Sequence, residues 1–352
     1  MDLNDYTSFT KIDTQNYLAE IENLPKQLEN AYQQGLGLSL PEWQNIQGVL
    51  IAGMGGSAMG ADLLAAYATP VCPVPIIVQR NYTLPAWASG PNTLVIASSH
   101  SGNTEETLAA FEQASKRGCR TLALCTGGKL AEAARDLNIP LWTFEHYGQP
   151  RAAVGYSFGL LLALLARIGL IPDPMGELTG AITAMRKQQA SLQAELSVVH
   201  NPAKRLAGQL VERWVMVFGA EVLEPVARRW KTQINELAKA WAQFEALPEA
   251  DHNALAGLQQ PEQALSAAMA LFLRASSYHP RNLLRTELTK QAYMLEGLNT
   301  DFVEAQGETP LAQQWTTLHF GDYAAYYLAI LYEIDPTPIP MLEGFKRQLA
   351  EG

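Results

Sequence analysis

Five short apolar runs alternate with helical patterns between residues 49 and 144, and this alternation constrains the fold more than any other feature. The runs are Val49–Gly53, Pro75–Gln79, Thr93–Ser99, Thr121–Cys125 and Pro140–Phe144. The helical patterns between them include Ala58–Ala68, Thr104–Arg117 and Lys129–Leu137. Strands that alternate with helices of this length are typical of βαβ units, in which a parallel sheet is buried on both faces. The five runs therefore predict one doubly wound α/β domain.

The second half of the chain shows a weaker version of this pattern. A helix is predicted over Glu177–His200, and Trp214–Gly219 is a predicted buried strand that ends in glycine before a further helix. A strand, a glycine and a helix thus follow one another in both halves, which suggests a duplicated domain. Ile171–Gly176 contains two prolines and a glycine and marks the best boundary. We therefore expect one domain over residues 1–172, with a leading helix within 14–35, and another over 173–352.

Composition excludes several classes of function. Asp and Glu outnumber Lys and Arg by 35 to 25, and a chain of formal charge −10 has no electrostatic footprint for nucleic acid or an anionic membrane. Cys72, Cys119 and Cys125 form no CxxC pair, so neither a disulfide framework nor a cysteine zinc site is expected. The first residues lack a signal-peptide pattern, and the most apolar stretch, Tyr156–Pro172, is interrupted by Arg167 and is too short for a membrane span. We expect a cytoplasmic protein.

The first predicted strand runs into a glycine-rich turn with the sequence IAGMGGSAMGADLL over residues 51–64. Glycine lets the backbone turn tightly and approach an anion, and the first amides of the following helix point at such a ligand. Gly56 and Ser57 are the candidate binding residues in this turn, and Ser57 adds a hydroxyl donor.

The same glycines leave two other interpretations open. Gly53, Gly55 and Ala58 satisfy the dinucleotide fingerprint G-x-G-x-x-G/A. The second strand, however, ends at Gln79 without the carboxylate that would bind a ribose hydroxyl, although Arg80 would suit a phosphorylated dinucleotide. A turn that serves packing alone is the other alternative.

A hydroxyl-rich turn, ASSHSGNTEET over residues 97–107, follows the third predicted strand. Ser99, Ser101 and Thr104 are three hydroxyls on one strand-to-helix turn. A helix cap needs one hydroxyl rather than three, whereas several hydroxyls with free amides suit a phosphate monoester. Because ligands bind at the carboxyl ends of parallel strands, we expect both turns to contribute to one phosphate site. Such a site requires neither a metal nor a cofactor.

GMGGS followed by SxSGNTEET resembles the sugar isomerase (SIS) domain, which binds phosphosugars. Within that group, the chain is similar to the family of bifunctional phosphoglucose/phosphomannose isomerases, whose members carry two SIS domains in a chain of about this length. The resemblance implies two flavodoxin-like αβα sandwiches with central parallel sheets, of which only the first keeps the phosphate loops. His100 departs from the family pattern, which usually has tyrosine at that place.

The segment RWKTQINELAK resembles the family motif K-x-Q-x-N-E-x-x-K. The resemblance makes Glu236 the base that moves a proton between C1 and C2, with Asn235 and Lys239 as residues that would orient it. His252 belongs to a His-Asn pair that the family has sixteen residues beyond its glutamate. There the histidine opens the sugar ring and comes from the neighbouring subunit, so the resemblance also implies a homodimer.

Two basic residues complete the set that the resemblance implies. Arg151, in a Pro-Arg loop, would stabilise the enediolate charge. Lys346 follows a final Asp-Pro segment and would position the sugar, with Arg347 as its nearest competitor. The five histidines other than His252 show no pairing that suggests metal ligation.

The sequence therefore predicts an aldose–ketose isomerase that interconverts glucose 6-phosphate and mannose 6-phosphate with fructose 6-phosphate through a cis-enediolate. A non-catalytic SIS protein that senses a phosphosugar is the main alternative. A dinucleotide-dependent oxidoreductase and an isomerase of aminosugar phosphates are two further alternatives.

Overall fold

The five predicted strands form one parallel sheet, sheet A, in the computed structural model, which describes residues 1–351. Its order is β2-β1-β3-β4-β5, the flavodoxin-like order of a doubly wound domain. The strands are β1 (Gly48–Ala52), β2 (Ile76–Gln79), β3 (Thr93–Ser99), β4 (Arg120–Cys125) and β5 (Leu141–Thr143). All residues of β1 and β3 are buried, as expected for central strands that helices cover on both faces.

Sheet B has four parallel strands in the order β7-β6-β8-β9, which repeats the β2-β1-β3-β4 order of sheet A. The strands are β6 (Trp214–Ala220), β7 (Ala242–Leu247), β8 (Ala268–Arg274) and β9 (Asn299–Glu304). The expectation of two doubly wound parallel-sheet domains is confirmed, and the repeated order supports a duplicated fold.

The chain divides into two compact units, one around each sheet. The sheet-A unit comprises Asn23–Thr183 and Thr309–Ala312. The sheet-B unit comprises Met1–Glu22, Ala184–Glu308 and the chain from Gln313 onward. The boundary between residues 172 and 173 stays a prediction.

Thirteen α-helices and six short 3-10 helices lie within residues 1–351. The α-helices are α1 (Tyr17–Glu22), α2 (Leu24–Gly37), α3 (Gly55–Ala68), α4 (Glu105–Lys116), α5 (Gly128–Asp136), α6 (Val154–Arg167), α7 (Met175–Gln189), α8 (Pro202–Leu210), α9 (Glu224–Leu237), α10 (Glu262–Ser266), α11 (Pro280–Leu295), α12 (Pro310–Leu331) and α13 (Pro340–Glu351). The 3-10 helices are Tyr6–Lys11, Pro150–Ala152, Val198–His200, Glu221–Leu223, Glu249–His252 and Ala254–Gly257. Within the described chain, none of these helices has the length and apolarity that a bilayer crossing requires.

Two of the predicted helices are wrong in extent. The leading helix is interrupted at Asn23, because Pro25 lacks a backbone N–H and fits only the first turn of a new helix. The helix predicted to reach residue 200 ends at Gln189. There the Ser191 hydroxyl donates to the Gln188 carbonyl oxygen over 2.7 Å, and this local hydrogen bond competes with helix continuation.

Candidate active site

The two turns singled out in the sequence follow β1 and β3, which are neighbours in sheet A. After β1 the chain goes on to β2 on one side, and after β3 it goes on to β4 on the other side. Where the direction of winding reverses in this way, a crevice forms at the carboxyl ends of the strands, and ligands bind there. The fold therefore places both turns at the expected ligand-binding edge.

Ser57 lies in the first turn of α3 and is 4% exposed. The helix begins at Gly55, whose φ of +50° is a backbone conformation that favours glycine. At Gly56 a Cβ atom would lie 2.4 Å from the carbonyl oxygen of Pro150, so only glycine allows this close approach. The glycines thus bring the start of α3 against the segment that carries Arg151.

The hydroxyls of the turn after β3 form a local network. Ser99 is 2% exposed, and its Oγ lies 2.9 Å from Oγ1 of Thr104. The Gly102 N–H donates to Ser99 Oγ over 3.1 Å, and the Asn103 N–H donates to Ser101 Oγ over 3.2 Å. Ser99 is buried, Thr104 is half-buried and Ser101 is exposed, so the hydroxyls run from the sheet edge towards the surface.

Thr104 occupies the N-cap position of α4 with an extended backbone. Within the described chain, its hydroxyl makes no capping hydrogen bond to this helix. The first amides of α4 therefore lack a side-chain acceptor, which is the condition under which a helix start binds an external anion. This geometry favours the phosphate interpretation of the turn over the simple helix cap.

His100 connects the loops that follow β1, β3 and β4. Its backbone N–H donates to Ser57 Oγ over 3.1 Å, and its carbonyl oxygen accepts a hydrogen bond from Thr126 Oγ1 over 2.7 Å. The structure thus brings Ser57 together with the turn that carries Ser99 and Thr104.

The His100 ring makes a contact that the sequence did not suggest. Its Nε2 lies 2.9 Å from Nδ1 of His146, which follows β5. The two rings pack beside Phe144 and Tyr156. Sequence spacing did not indicate this hydrogen-bonded pair, because β4 lies between the strands that precede the two histidines and the contact depends on how far both loops reach. Within the described residues, no group of three or more His, Cys, Asp or Glu side chains could hold a metal ion.

Arg151 lies in the short helix Pro150–Ala152 and is 4% exposed. Its Nη1 donates to Gln149 Oε1 over 3.3 Å. The buried Gln27 fixes the following backbone, since its Nε2 donates to the Ala152 carbonyl oxygen over 3.0 Å and its Oε1 accepts from the Gly155 N–H over 2.8 Å. The backbone of Arg151 thereby lies against the turn that carries Gly56 and Ser57.

Glu236 lies half-buried in the last turn of α9, in the sheet-B unit. Two turns earlier on this helix, buried Arg229 makes a bidentate ion pair with Asp322, with Nε–Oδ1 and Nη2–Oδ2 distances of 3.0 and 2.8 Å. Burial is the largest single effect and lowers the pKa of Arg229, but the charge and hydrogen bonds of Asp322, with smaller contributions from Tyr17 and Glu236, together raise the pKa above its ordinary value. The helix that carries Glu236 is therefore held to α12 by a buried ion pair. Sequence reasoning missed this pair, because its residues lie 93 positions apart.

Asn235 and Lys239 bind the backbone around the end of α9. Asn235 Nδ2 donates to the Ala240 carbonyl oxygen over 2.7 Å. Lys239 Nζ donates to the carbonyl oxygen of Asp335 over 2.7 Å. These contacts hold the helix end that carries Glu236, while a direct role in orienting its carboxylate stays a prediction.

The remaining predicted residues also belong to the sheet-B unit. His252 is exposed at the end of the short helix Glu249–His252, and Lys346 is exposed on α13 beside the equally exposed Arg347. The predicted residues thus fall into two groups. Gly56, Ser57, Ser99, Ser101, Thr104 and Arg151 lie in the sheet-A unit, whereas Glu236, His252 and Lys346 lie in the sheet-B unit.

The corresponding edge of sheet B carries a carboxylate beside the hydroxyls of Ser276 and Ser277, which follow β8. Glu221 follows β6, and its Oε1 accepts hydrogen bonds from the His279 N–H over 2.9 Å and from Asn282 Nδ2 over 2.6 Å. The loops after β6 and β8 are thus linked as the loops after β1 and β3 are, but through an acidic group. This contrast supports the expectation that only the first domain keeps phosphate loops.

Comparisons with known proteins agree with this architecture. Residues 199–349 match the family model described as the bacterial phospho-glucose isomerase C-terminal SIS domain. A bifunctional phosphoglucose/phosphomannose isomerase from Caldicellulosiruptor bescii is 37% identical over 94% of this chain and 98% of its own. One from Aquifex aeolicus is 30% identical over 88% of this chain and 94% of its own. The crystal structure of a hypothetical protein from Thermus thermophilus has a TM-score of 0.76 at 17% identity, covering 99% of this chain and 94% of that one.

Proposed function

The chain belongs to the family of bifunctional phosphoglucose/phosphomannose isomerases, and we propose that it interconverts glucose 6-phosphate and mannose 6-phosphate with fructose 6-phosphate. The observation that carries this proposal is the hydroxyl cluster of Ser57, Ser99 and Thr104 at the ligand-binding edge of sheet A. Hydroxyls beside two helix starts suit a phosphate monoester, which every one of these substrates carries. Gly56 and Ser101 complete the proposed phosphate site.

The proposed reaction begins with opening of the sugar ring. His252 transfers a proton to the ring oxygen while the C1 hydroxyl loses its proton, so the C1–O5 bond breaks and an aldehyde forms. Glu236 then removes the proton from C2, and Arg151 stabilises the negative charge that develops on the enediolate oxygen. The O2 hydroxyl proton passes to O1, and return of the carbon-bound proton from Glu236 to C1 then leaves a carbonyl at C2 and gives the ketose. Because glucose 6-phosphate and mannose 6-phosphate differ only at C2, both pass through the same enediolate.

We propose a homodimer in which His252 serves the active site of the neighbouring subunit, and in which Lys346 positions the sugar. We propose a cytoplasmic location, which the acidic charge and the phosphosugar substrates support.

The test replaces Glu236 by glutamine and measures fructose 6-phosphate formation from both aldoses in a coupled assay. Since a general base contributes about 100- to 10,000-fold to rate, we expect Glu236→Gln to lose at least about 100-fold in turnover while phosphosugar binding persists. Glu224→Gln, at the start of the same helix, is the matched control and should keep wild-type turnover. Near-normal turnover in Glu236→Gln would overturn the assignment of the base. Ligand binding without turnover in the wild-type protein would instead support the sensing alternative, which the enzymatic relatives do not favour.

A further inference from the structure

Asp251 joins the turn that carries His252 to the middle of α11. Its carboxylate is 8% exposed and accepts a hydrogen bond from Arg285 Nη1 over 2.8 Å through Oδ2. Its other oxygen, Oδ1, accepts from Thr289 Oγ1 over 2.6 Å. Arg285 and Thr289 lie four residues apart on α11, so the two donors face the same side of that helix. We call Asp251, Arg285 and Thr289 the Asp251 clamp.

The His252 ring is not held in place by contacts of its own. It is exposed, and it makes no hydrogen bond within residues 1–351. Asn253, the next residue, binds only its own segment, since its Oδ1 accepts from the Ala254 N–H over 2.6 Å and its Nδ2 donates to Glu249 Oε1 over 3.2 Å. The position of the imidazole therefore depends on the backbone of the turn, and the clamp ties that backbone to a long helix.

We propose that Asp251, Arg285 and Thr289 are positioning residues for ring opening by His252. This inference rests on the proposed function, because it takes His252 as the ring-opening group. A carboxylate that is mostly removed from water depends on its hydrogen-bond donors, and hydrogen bonds to a charged acceptor are the stronger ones. Loss of one donor leaves an oxygen atom unsatisfied and lets the turn move. Misplacement of a catalytic group by about 1 Å can cost about 100-fold in rate.

Thr289→Val is the sharpest test, because valine keeps the shape of threonine and removes the hydroxyl. Thr286→Val is its matched control. Both threonines are buried on α11. The Thr286 hydroxyl donates its proton to the Asn282 carbonyl oxygen, whereas the Thr289 hydroxyl shares its single proton between the Arg285 carbonyl oxygen and Asp251 Oδ1. The control therefore reproduces the chemical change and the local helix effect without touching the clamp.

The measurement separates ring opening from phosphosugar binding. Exchange NMR gives the enzyme-catalysed interconversion of the glucose 6-phosphate anomers, which requires ring opening. Titration with sorbitol 6-phosphate, an open-chain phosphate, gives binding that needs no ring opening. We expect Thr289→Val to slow anomer interconversion by at least about 10-fold with unchanged sorbitol 6-phosphate affinity, while Thr286→Val behaves as wild type.

Equal rates of anomer interconversion in the two valine variants would overturn the proposal. So would a parallel loss of anomer interconversion and sorbitol 6-phosphate affinity in Thr289→Val, because that pattern indicates general structural damage. Arg285→Met is the second variant and should reproduce the selective loss, with the exposed Arg281→Met on the same helix as its control.

His252→Ala distinguishes failure of the clamp from failure of the proposed function. If His252→Ala abolishes anomer interconversion and Thr289→Val does not slow it, the clamp proposal alone is wrong. If His252→Ala retains normal anomer interconversion, the ring-opening role of His252 is wrong and the clamp proposal falls with it.

Discussion

The backbone N–H of His100 donates a hydrogen bond to the hydroxyl oxygen of Ser57 over 3.1 Å, although the two residues follow different strands. This contact crosses the boundary between β1 and β3, where the winding of sheet A reverses. It occupies one lone pair of the Ser57 oxygen and leaves its proton for another acceptor. A phosphate bound at this edge would supply that acceptor.

Ser57→Ala removes both functions of this hydroxyl. A hydrogen bond to a charged group contributes about 1.5–3 kcal/mol, so we expect the KM for glucose 6-phosphate to rise by about 10- to 100-fold. The rise should exceed any change in kcat, because the phosphate lies away from the reacting carbons. Steady-state kinetics measure both constants. Ser89→Ala, at an exposed serine before β3, is the control, and an unchanged KM in Ser57→Ala would count against the phosphate site.

The His100–His146 hydrogen bond should contribute to phosphosugar binding through the loops that it joins. A neutral hydrogen bond contributes about 0.5–1.5 kcal/mol, so we expect His146→Phe to raise the KM by about 3- to 10-fold. Phenylalanine keeps an aromatic ring beside Tyr156 and removes the nitrogen atoms. The effects of His100→Phe and His146→Phe should not add in the double variant. Additive effects would show that the two rings act independently.

Mixing two inactive variants tests the shared active site. If His252 serves the neighbouring subunit, a heterodimer of Glu236→Gln and His252→Ala subunits contains one intact site out of two. Random exchange makes half of the dimers mixed, so activity should recover to about one quarter of the wild-type value. Coupled assays before and after subunit exchange give this fraction. Heterodimers that form, as mass spectrometry would show, but stay inactive would place His252 in its own subunit's site.

His319 on α12 should make the stability of the protein depend on pH below neutrality. Its Nε2 lies 2.8 Å from the Ile21 carbonyl oxygen and carries the proton, and burial lowers the pKa of His319 from 6.5 to about 4. The unfolded chain therefore takes up a second imidazole proton at a higher pH than the folded chain does. Stability falls as the pH falls from about 6.5 towards 4, with about 2 kcal/mol lost between pH 7.5 and 5.

Urea unfolding of His319→Gln at pH 7.5 and 5 checks this contribution. The variant should be less stable than wild type at pH 7.5 but should lose less stability on acidification. His200→Gln, at an exposed histidine, is the control for the chemical change. A His319→Gln variant that matches the wild-type pH dependence would contradict the prediction.

Sheet A could be predicted from the sequence because each of its strands coincides with a short apolar run. β1 and β3 are buried along their whole length, and glycine or a helix signal follows each of them. The edge strands of sheet B could not be predicted in this way. β9 has the sequence NTDFVE, which contains neither an apolar run nor a clear alternation of apolar and polar residues, and the strand is only partly buried.

The candidate site shows a similar division. The hydroxyls of Ser57, Ser99 and Thr104 were predictable, because each lies within a few residues of a strand end. The hydrogen-bond partners that hold the other candidate site residues in place were not predictable. Asp251 accepts a hydrogen bond from Thr289, which lies 38 residues further along the sequence, and no local sequence pattern distinguishes either residue. Contacts of this kind depend on how the helices pack on the sheet, and the spacing of residues along the sequence does not predict that packing.

Glu221 places a carboxylate in the sheet-B unit, at the edge that corresponds to the candidate phosphate site of sheet A. Its carboxylate links the loops after β6 and β8 and already accepts the hydrogen bonds that an external anion would seek there. A phosphate that approached this edge would meet a like charge. We therefore expect that the duplication does not double the binding capacity and that a phosphosugar titration saturates at one equivalent per chain.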